Sequence, residues 1–345
     1  MLTVYTLRQS EEWDSIVRSF HDYDVYWLNG YVKAFQIHGD GEPLLFYCET
    51  DGGRGVNVVM KRDIAKDPRF AGKIPEGRYF DFSTPYGYGG WLIEGERRDS
   101  IFDAYGKCCQ EMDVVSEFMR FHPVIGNHAQ ADAYEVIRLG PTVAMDLTSP
   151  DVIWANVTSK NRNVIRKAQN SGVKIYNGRF PKIYDTFRDI YNATMDKDHA
   201  ETYYYFPPEF YCSILYDLSL NAQVFYAVKD ETVIAVSIML TANGRMNYHL
   251  SGSLKEYASL AATNLLLYQA ALWGCANGCK TLYLGGGVGS GEDSLFKFKK
   301  AFYRGDDLPY FHIGRKVWNA EMYQYLASLR SDIPQESRYF PAYRA

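Results

Sequence analysis

Apolar and polar positions alternate with a period of two in several short runs. Helical periodicity separates those runs, and the succession occurs twice along the chain. Leu44–Thr50 reads as a strand, Asp51-Gly52-Gly53 as a turn and Gly55–Met60 as its antiparallel partner. From about Arg97 to Met112, Ile101, Tyr105 and Cys108 fall on one side of a helix, and Val114–Phe121 follows as a buried strand. In the second half, Gln223–Val228 and Val233–Leu240 flank the turn Lys229-Asp230-Glu231, and Asn243-Gly244 leads into a third strand, Arg245–Leu250. A strongly apolar helix spans about Ser259–Cys275 and stops at Gly278. Thr281–Leu284 is then a short buried strand, and Gly285-Gly286-Gly287 a loop. Two rounds of strands, helix and strand predict an α/β (α+β) chain of two tandem domains, each built on a mixed central sheet.

The boundary is expected near Asp146–Pro150. Ser149 suits an N-cap, with Pro150 and Asp151 in the first turn behind it. The helix expected at about Thr158–Asn170 carries Val164, Ile165 and Ala168 on one stripe. Arg162 and Arg166 flank one side of that stripe, Lys160 and Lys167 the other, and Gly172 is the natural stop. Another helix, about Ile183–Lys197, buries Tyr184, Phe187, Ile190 and Tyr191. The last, about Asn319–Leu329, is amphipathic through Met322, Tyr325, Leu326 and Leu329. The expected domains are residues 1–145 and 146–316, with 317–345 returning to the first.

A length of 345 residues suits two domains. No stretch offers about 18 uncharged apolar residues, so no transmembrane helix is expected. The opening MLTVYTLRQSEEW turns polar too early for a signal peptide. The six Cys form no CxxC pair and read as reduced thiols of a cytoplasmic protein; the seven His show no metal spacing, so no metal site is expected. The net charge of −4 is unevenly spread. Between Asp151 and Asp185 there is no acidic residue, while Lys160, Arg162, Arg166, Lys167, Lys174, Arg179 and Lys182 all fall there. A second basic run is Lys297, Lys299, Lys300 and Arg304. Local basic strips on an acidic chain point to an anionic ligand; the competing account is a solvated helix face. GxSxG, GxxxxGK[ST] and GxGxxG are absent.

The stretch DVIWANVTSKNRNVIRKAQNSGVKIY (151–176) resembles the basic helix that opens the second domain of the FemAB group, the peptidoglycan bridge-forming aminoacyltransferases. Lys160, Arg162, Ile165, Arg166, Lys167, Ala168, Gly172 and Val173 match it. YNATMDKDHAETYYYF (191–206), YHLSGS (248–253) and LGGGVGSGEDSLFKFKKAFY (284–303) are similar to later segments of that domain. TPYGYGG (84–90) and RFHPVIGN (120–127) fit a bacterial branch of the group. The resemblance implies two GNAT-like domains, meaning domains of the acyl-CoA N-acyltransferase type. It also implies transfer of an amino acid from aminoacyl-tRNA to the amino group of a nucleotide- or lipid-linked cell-wall precursor, with neither metal nor coenzyme A. Where family members carry an Arg near the Tyr-rich turn, ETYYYFPPEFY has none, which leaves the acceptor open.

By position Phe298 and Lys299 match the family's Phe-Lys pair, which implies that Lys299 lies beside the reacting ester. Aminolysis passes through a tetrahedral oxyanion, and a fixed ammonium lowers such a barrier by about 3–4 kcal/mol. The competing account of Lys299 is a solvated helix lysine, the expected condition of Lys297. Arg162, Arg166 and Lys167 are candidates for substrate phosphates, with an internal ion pair the alternative for Arg166. Tyr248 is a candidate precursor contact or a core residue. Tyr86, Tyr88 and Lys33 are first-domain candidates for the precursor, and Gly286 and Gly287 for the substrate loop. Glu292 and Asp293 are the carboxylates near enough in sequence to move a proton. Two other functions compete. One is an acetyl-CoA-dependent N-acetyltransferase acting on an amino sugar or other small amine. Against it, SLKEYASLAA (253–262) lacks the Q/R-x-x-G-x-G/A turn that holds the coenzyme A pyrophosphate. The other is a binding protein without catalysis, which the intact FKFKKAF segment disfavours.

Overall fold

The computed structural model of the chain describes residues 1–330, 332 and 337–345; of the C-terminal stretch 317–345, residues 331 and 333–336 lie outside the description. The strands run in chain order β1 (Leu2–Tyr5), β2 (Glu42–Thr50), β3 (Gly53–Asp63), β4 (Phe80–Ser83), β5 (Leu92–Gly95), β6 (Val114–Arg120) and β7 (Glu135–Pro141). They continue as β8 (Val143–Asp146), β9 (Lys174–Gly178), β10 (Ala222–Lys229), β11 (Thr232–Ala242), β12 (Arg245–Ser253), β13 (Thr281–Gly285) and β14 (Tyr310–Val317). The helices are α1 (Ser10–Arg18), α2 (Asn29–His38), α3 (Arg98–Glu111), α4 (Pro150–Asn156), α5 (Ser159–Asn170), α6 (Pro181–Lys197), α7 (Pro208–Asp217), α8 (Ala262–Ala276), α9 (Ser294–Lys300) and α10 (Ala320–Ser328).

The chain divides into two units, Met1–Leu139 with Phe311–Ala345, and Gly140–Tyr310. The division precedes the expected Asp146–Pro150 because β8 pairs antiparallel with β13 and so belongs to the second sheet. The return to the first unit likewise begins before residue 317, because β14 pairs antiparallel with β6.

The first unit's sheet has the order β1-β2-β3-β4-β6-β14-β7, with β5 also pairing β3. β4 and β6 are parallel, and β1–β2, β2–β3, β3–β4 and β6–β14 are antiparallel. The apolar face of α3, through Ile101 and Tyr105, joins Phe46, Val59, Phe82, Trp91 and Phe121 in one core. A second cluster of Ile64, Phe70, Val115, Leu326 and Tyr343 seats α10 and the chain's end on this unit.

The second unit's sheet has the order β8-β13-β12-β11-β10-β9. Only β12 and β13 are parallel. α8 is apolar nearly all round and buries Leu265, Leu266, Leu267, Ala270 and Ala271, as a helix covered on several sides must. α5 turns only Asn161, Ile165 and Ala168 inward. α5 begins where expected, with Thr158 Oγ1 accepting from Asn161 N at 3.3 Å, whereas α8 begins at Ala262, later than the expected Ser259; Gly172 and Gly278 take positive φ just past the last turns. α6 lies so close on β12 that a Cβ at Gly252 would sit 2.9 Å from the Ile190 carbonyl.

Candidate active site

The ladder between the parallel strands β12 and β13 covers only Arg245–Asn247 opposite Thr281–Tyr283. On the other side of β12 the register slips: Ile238 pairs with Leu250 but Met239 with Tyr248, leaving His249 as an extra residue. Beyond Asn247 the carboxyl ends of the two parallel strands are no longer bonded to each other, and open α/β sheets bind their ligands at such strand ends. Tyr248 is the first residue of β12 past the ladder. The Gly285-Gly286-Gly287 loop leaves β13 at the same end.

Lys299 reaches this loop from α9. Its side chain is buried, 8% exposed, while Lys297 on the same helix is exposed. The 3.6-residue period accounts for the difference, because Phe296 and Lys299 share the inward face. Lys299 Nζ donates to the Gly286 carbonyl at 2.7 Å. Burial lowers its pKa to about 8, against the opposing pull of the Asp293 carboxylate. An ammonium has three N–H donors, and among the described residues one hydrogen bond engages it. Phe298 is half-buried against the second unit's core and meets Phe302 edge-on, with ring centroids 5.7 Å apart. Tyr248 packs on the same core, and burial raises its phenol pKa. The loop is closed by Asp293. Its carboxylate accepts from Phe296 N at 2.8 Å, capping α9, and from Val288 N at 3.2 Å.

The basic strip lies on α5. Arg162 and Arg166 hold their guanidinium carbons 5.8 and 5.2 Å from the Trp154 ring, and Trp154 packs on Tyr268 at 5.0 Å. Neither Arg has a carboxylate partner among the described residues, so the internal ion pair considered for Arg166 does not form. Arg166 is exposed. Arg162 and Arg304 both bond Ser159 Oγ, at 3.4 and 3.0 Å. Lys167 donates to the Ser259 carbonyl at 3.1 Å, linking α5 to the turn before α8. Arg304, from the second basic run, extends the strip; its place beside Ser159, 145 positions away in sequence, carries no local signal.

Tyr86, Tyr88 and Lys33 lie in the first unit. Tyr86 stacks on Phe35 at 5.5 Å, and its carbonyl accepts from Tyr31 Oη. Tyr88 meets Tyr26, His122 and Phe311 edge-on. Lys33 is on α2, half-buried. A cleft of about 260 Å³ in the same unit, lined by Phe20, Asp22, Glu94, Arg98 and Gln130 among others, contains none of these residues. Among the described residues no cluster of His, Cys, Asp and Glu is arranged to hold a metal ion. The Cys are free thiols, and among the described residues no helix is long and apolar enough to cross a membrane.

Residues 159–300, the stretch holding both α5 and Lys299, match the acetyltransferase (GNAT) domain model. The second unit therefore carries a domain similar to the acetyltransferase (GNAT) type. No curated protein sequence matches it. Of solved structures, that of FemX aligns with a TM-score of 0.70 at 12% identity, covering 94% of this chain and 99% of FemX. A conserved protein of unknown function from Bacteroides thetaiotaomicron aligns with a TM-score of 0.58 at 10% identity, covering 92% of this chain and 100% of that one. The C-terminal domain of a putative lysylphosphatidylglycerol synthetase from Agrobacterium fabrum gives a TM-score of 0.54 at 12% identity, covering 92% of each chain. At these identities the likeness is one of fold: two tandem GNAT-like domains following one another along the chain, as in the FemX alignment.

Proposed function

We propose that the protein is an aminoacyltransferase that moves an amino acid from aminoacyl-tRNA to the amino group of a peptidoglycan precursor. It works in the cytoplasm, on a nucleotide- or lipid-linked acceptor, without metal or coenzyme A. The observation that carries this reading is the buried Lys299 ammonium at the open end of β12 and β13, with one N–H on Gly286 and the others without a hydrogen-bond partner among the described residues. In the reaction the acceptor nitrogen attacks the ester carbonyl and a C–N bond forms. The ester C–O bond then breaks, and the amine's proton goes to the departing ribose oxygen. Between those events the carbonyl oxygen is an oxyanion. A donor already buried and oriented stabilises it without reorganisation, and holding both substrates in place supplies more. Phe298 and Tyr248 flank that point. Arg162, Arg166 and Lys167 take phosphates, while Tyr86, Tyr88 and Lys33 serve the precursor. Gly286 and Gly287 serve the substrate through the loop backbone, which packs so closely that a Cβ on either would meet protein atoms within 3.1 Å.

The match to an acetyltransferase model favours a second reading, an acetyl-CoA-dependent N-acetyltransferase acting on an amino sugar or other small amine. The turn before α8 stands against it. Residues Lys255–Leu260 form a tight helical turn, and Ala261 takes φ 52° where a pyrophosphate loop would favour glycine. The two separate in one assay. The protein is incubated with cell-wall precursors and either charged tRNA or acetyl-CoA, and the donor consumed is measured. Deacylation of the tRNA coupled to a heavier precursor is expected. Consumption of acetyl-CoA alone, with saturable binding of coenzyme A at micromolar concentration, would replace the first reading with the second.

A further inference from the structure

Asp293 stands six residues past Gly287 of the glycine loop and just ahead of the helix that carries Lys299, and each of its oxygens already has a backbone donor. Oδ1 accepts from Phe296 N at the head of α9, and Oδ2 from Val288 N in the loop. The fit around it is tight: a Cβ at Gly287 would lie 2.3 Å from Asp293 Oδ1 and 2.2 Å from the Gly291 carbonyl. We propose that Asp293 is a positioning residue, whose carboxylate ties the glycine loop to α9 and so sets the Gly286 carbonyl against the Lys299 amine, with its charge acting on that amine. This rests on the proposed function only where activity is concerned.

A proton-shuttling role fits these contacts poorly. The Phe296 N–H bond first, then that from Val288 and the Lys299 charge, hold the Asp293 carboxyl below the usual range, so it is a weak base. Its charge is, however, the one that opposes the desolvation of Lys299. The other charged groups nearby are otherwise engaged. Lys300 donates to the Tyr303 and Gly305 carbonyls at 3.0 and 2.7 Å and pairs with Asp306 at 3.9 Å. Lys297 and Glu292 are exposed. Of the strands packed on α9, β8 brings Asp146, which accepts from Thr148 N at 2.8 Å, and β13 brings Tyr283.

The test is a titration of the Lys299 amine by nitrogen-detected NMR in the full chain with isotope-labelled lysine, assigned by its loss in Lys299→Ala. Asp293→Asn keeps a capping oxygen and removes the charge. Its Lys299 midpoint should fall by about half a pH unit or more, because an ammonium loses its nearby carboxylate. The alkaline limb of turnover should move down with it while KM stays the same. If Asp293→Asn does not fold, Gly287→Ala displaces the carboxylate sterically and should lower the same midpoint. An unmoved midpoint in a folded variant overturns the proposal. It would leave the transferase reading intact, just as a harmless Lys299→Ala in a transfer assay would sink that reading and not this one.

Discussion

The two units follow one plan strand for strand, yet their parallel pairs differ. β1-β2-β3-β4-β6-β14 in the first corresponds to β9-β10-β11-β12-β13-β8 in the second. In the first unit β4 and β6 stay bonded along the whole of β4. The pairing continues past it, with Thr84 N to the Phe118 carbonyl at 3.0 Å and Gly89 N to the Arg120 carbonyl at 2.8 Å. In the second unit it stops after Asn247. Buried charge follows the same division. Glu117 of the first unit accepts from Tyr134 at 2.9 Å, Tyr105 at 3.0 Å, Asn57 at 3.1 Å and Trp318 at 3.2 Å. Asp81 sits between Arg62 and Arg344. Lys299 has one carbonyl as its hydrogen-bond partner among the described residues. Burial of a charge therefore does not by itself mark a reactive site. What distinguishes Lys299 is hydrogen-bonding capacity left over beside an unzipped strand end.

The sharpest way to break this contrast is at Glu117. Desolvation outweighs its four donors and raises its pKa to about 7. A raised carboxyl favours the folded state below its unfolded pKa, and that stability is lost as pH rises through the folded value. The change between pH 4.5 and 7 amounts to roughly 3 kcal/mol. Glu117→Gln removes the titration, so its stability deficit against the parent should be largest at or below about pH 4.5 and shrink by about that amount by pH 8. Denaturant midpoints at the two pH values measure it; a deficit independent of pH would mean Glu117 is not held neutral. A smaller effect is expected on the basic strip. Replacing Arg162 and Arg166 with Ala should weaken binding of a phosphate-bearing substrate and lower the salt slope of log K by about 1 for each phosphate no longer neutralised. If only the melting temperature falls and affinity holds, the pair is structural through Trp154.

Periodicity made the meanders, α3, α5, α6, α8 and the two short buried strands legible, because each carries a regular apolar pattern, and α5 and α8 also stop at a glycine. β8 and β14 escaped it. Each reaches its sheet by a long-range pairing that leaves no local trace, so the boundaries drawn at 146 and 316 fell on the wrong side of them. At the site, the resemblance of FKFKKAF to the family's Phe-Lys pair singled out Lys299, and helical spacing set Lys297 on another side of the helix. Asp293 was visible as a nearby carboxylate, but its two backbone bonds depend on the loop folding back over Gly287. The link from Ser159 to Arg304 was hidden for the same reason as the missed strands.

The central claim is that Lys299 meets charge that develops during transfer. It is tested most directly by comparing Lys299→Ala with Lys297→Ala in an aminoacyl-transfer assay that resolves kcat from KM. Lys299→Ala should lower kcat by about 10²–10³ with much less change in KM, since the oxyanion exists mainly in the transition state. Lys299→Arg should recover part of the rate, and Lys297→Ala should match the parent. Equal harmlessness of the two Ala variants, or a loss for Lys299→Ala confined to KM, would contradict the account.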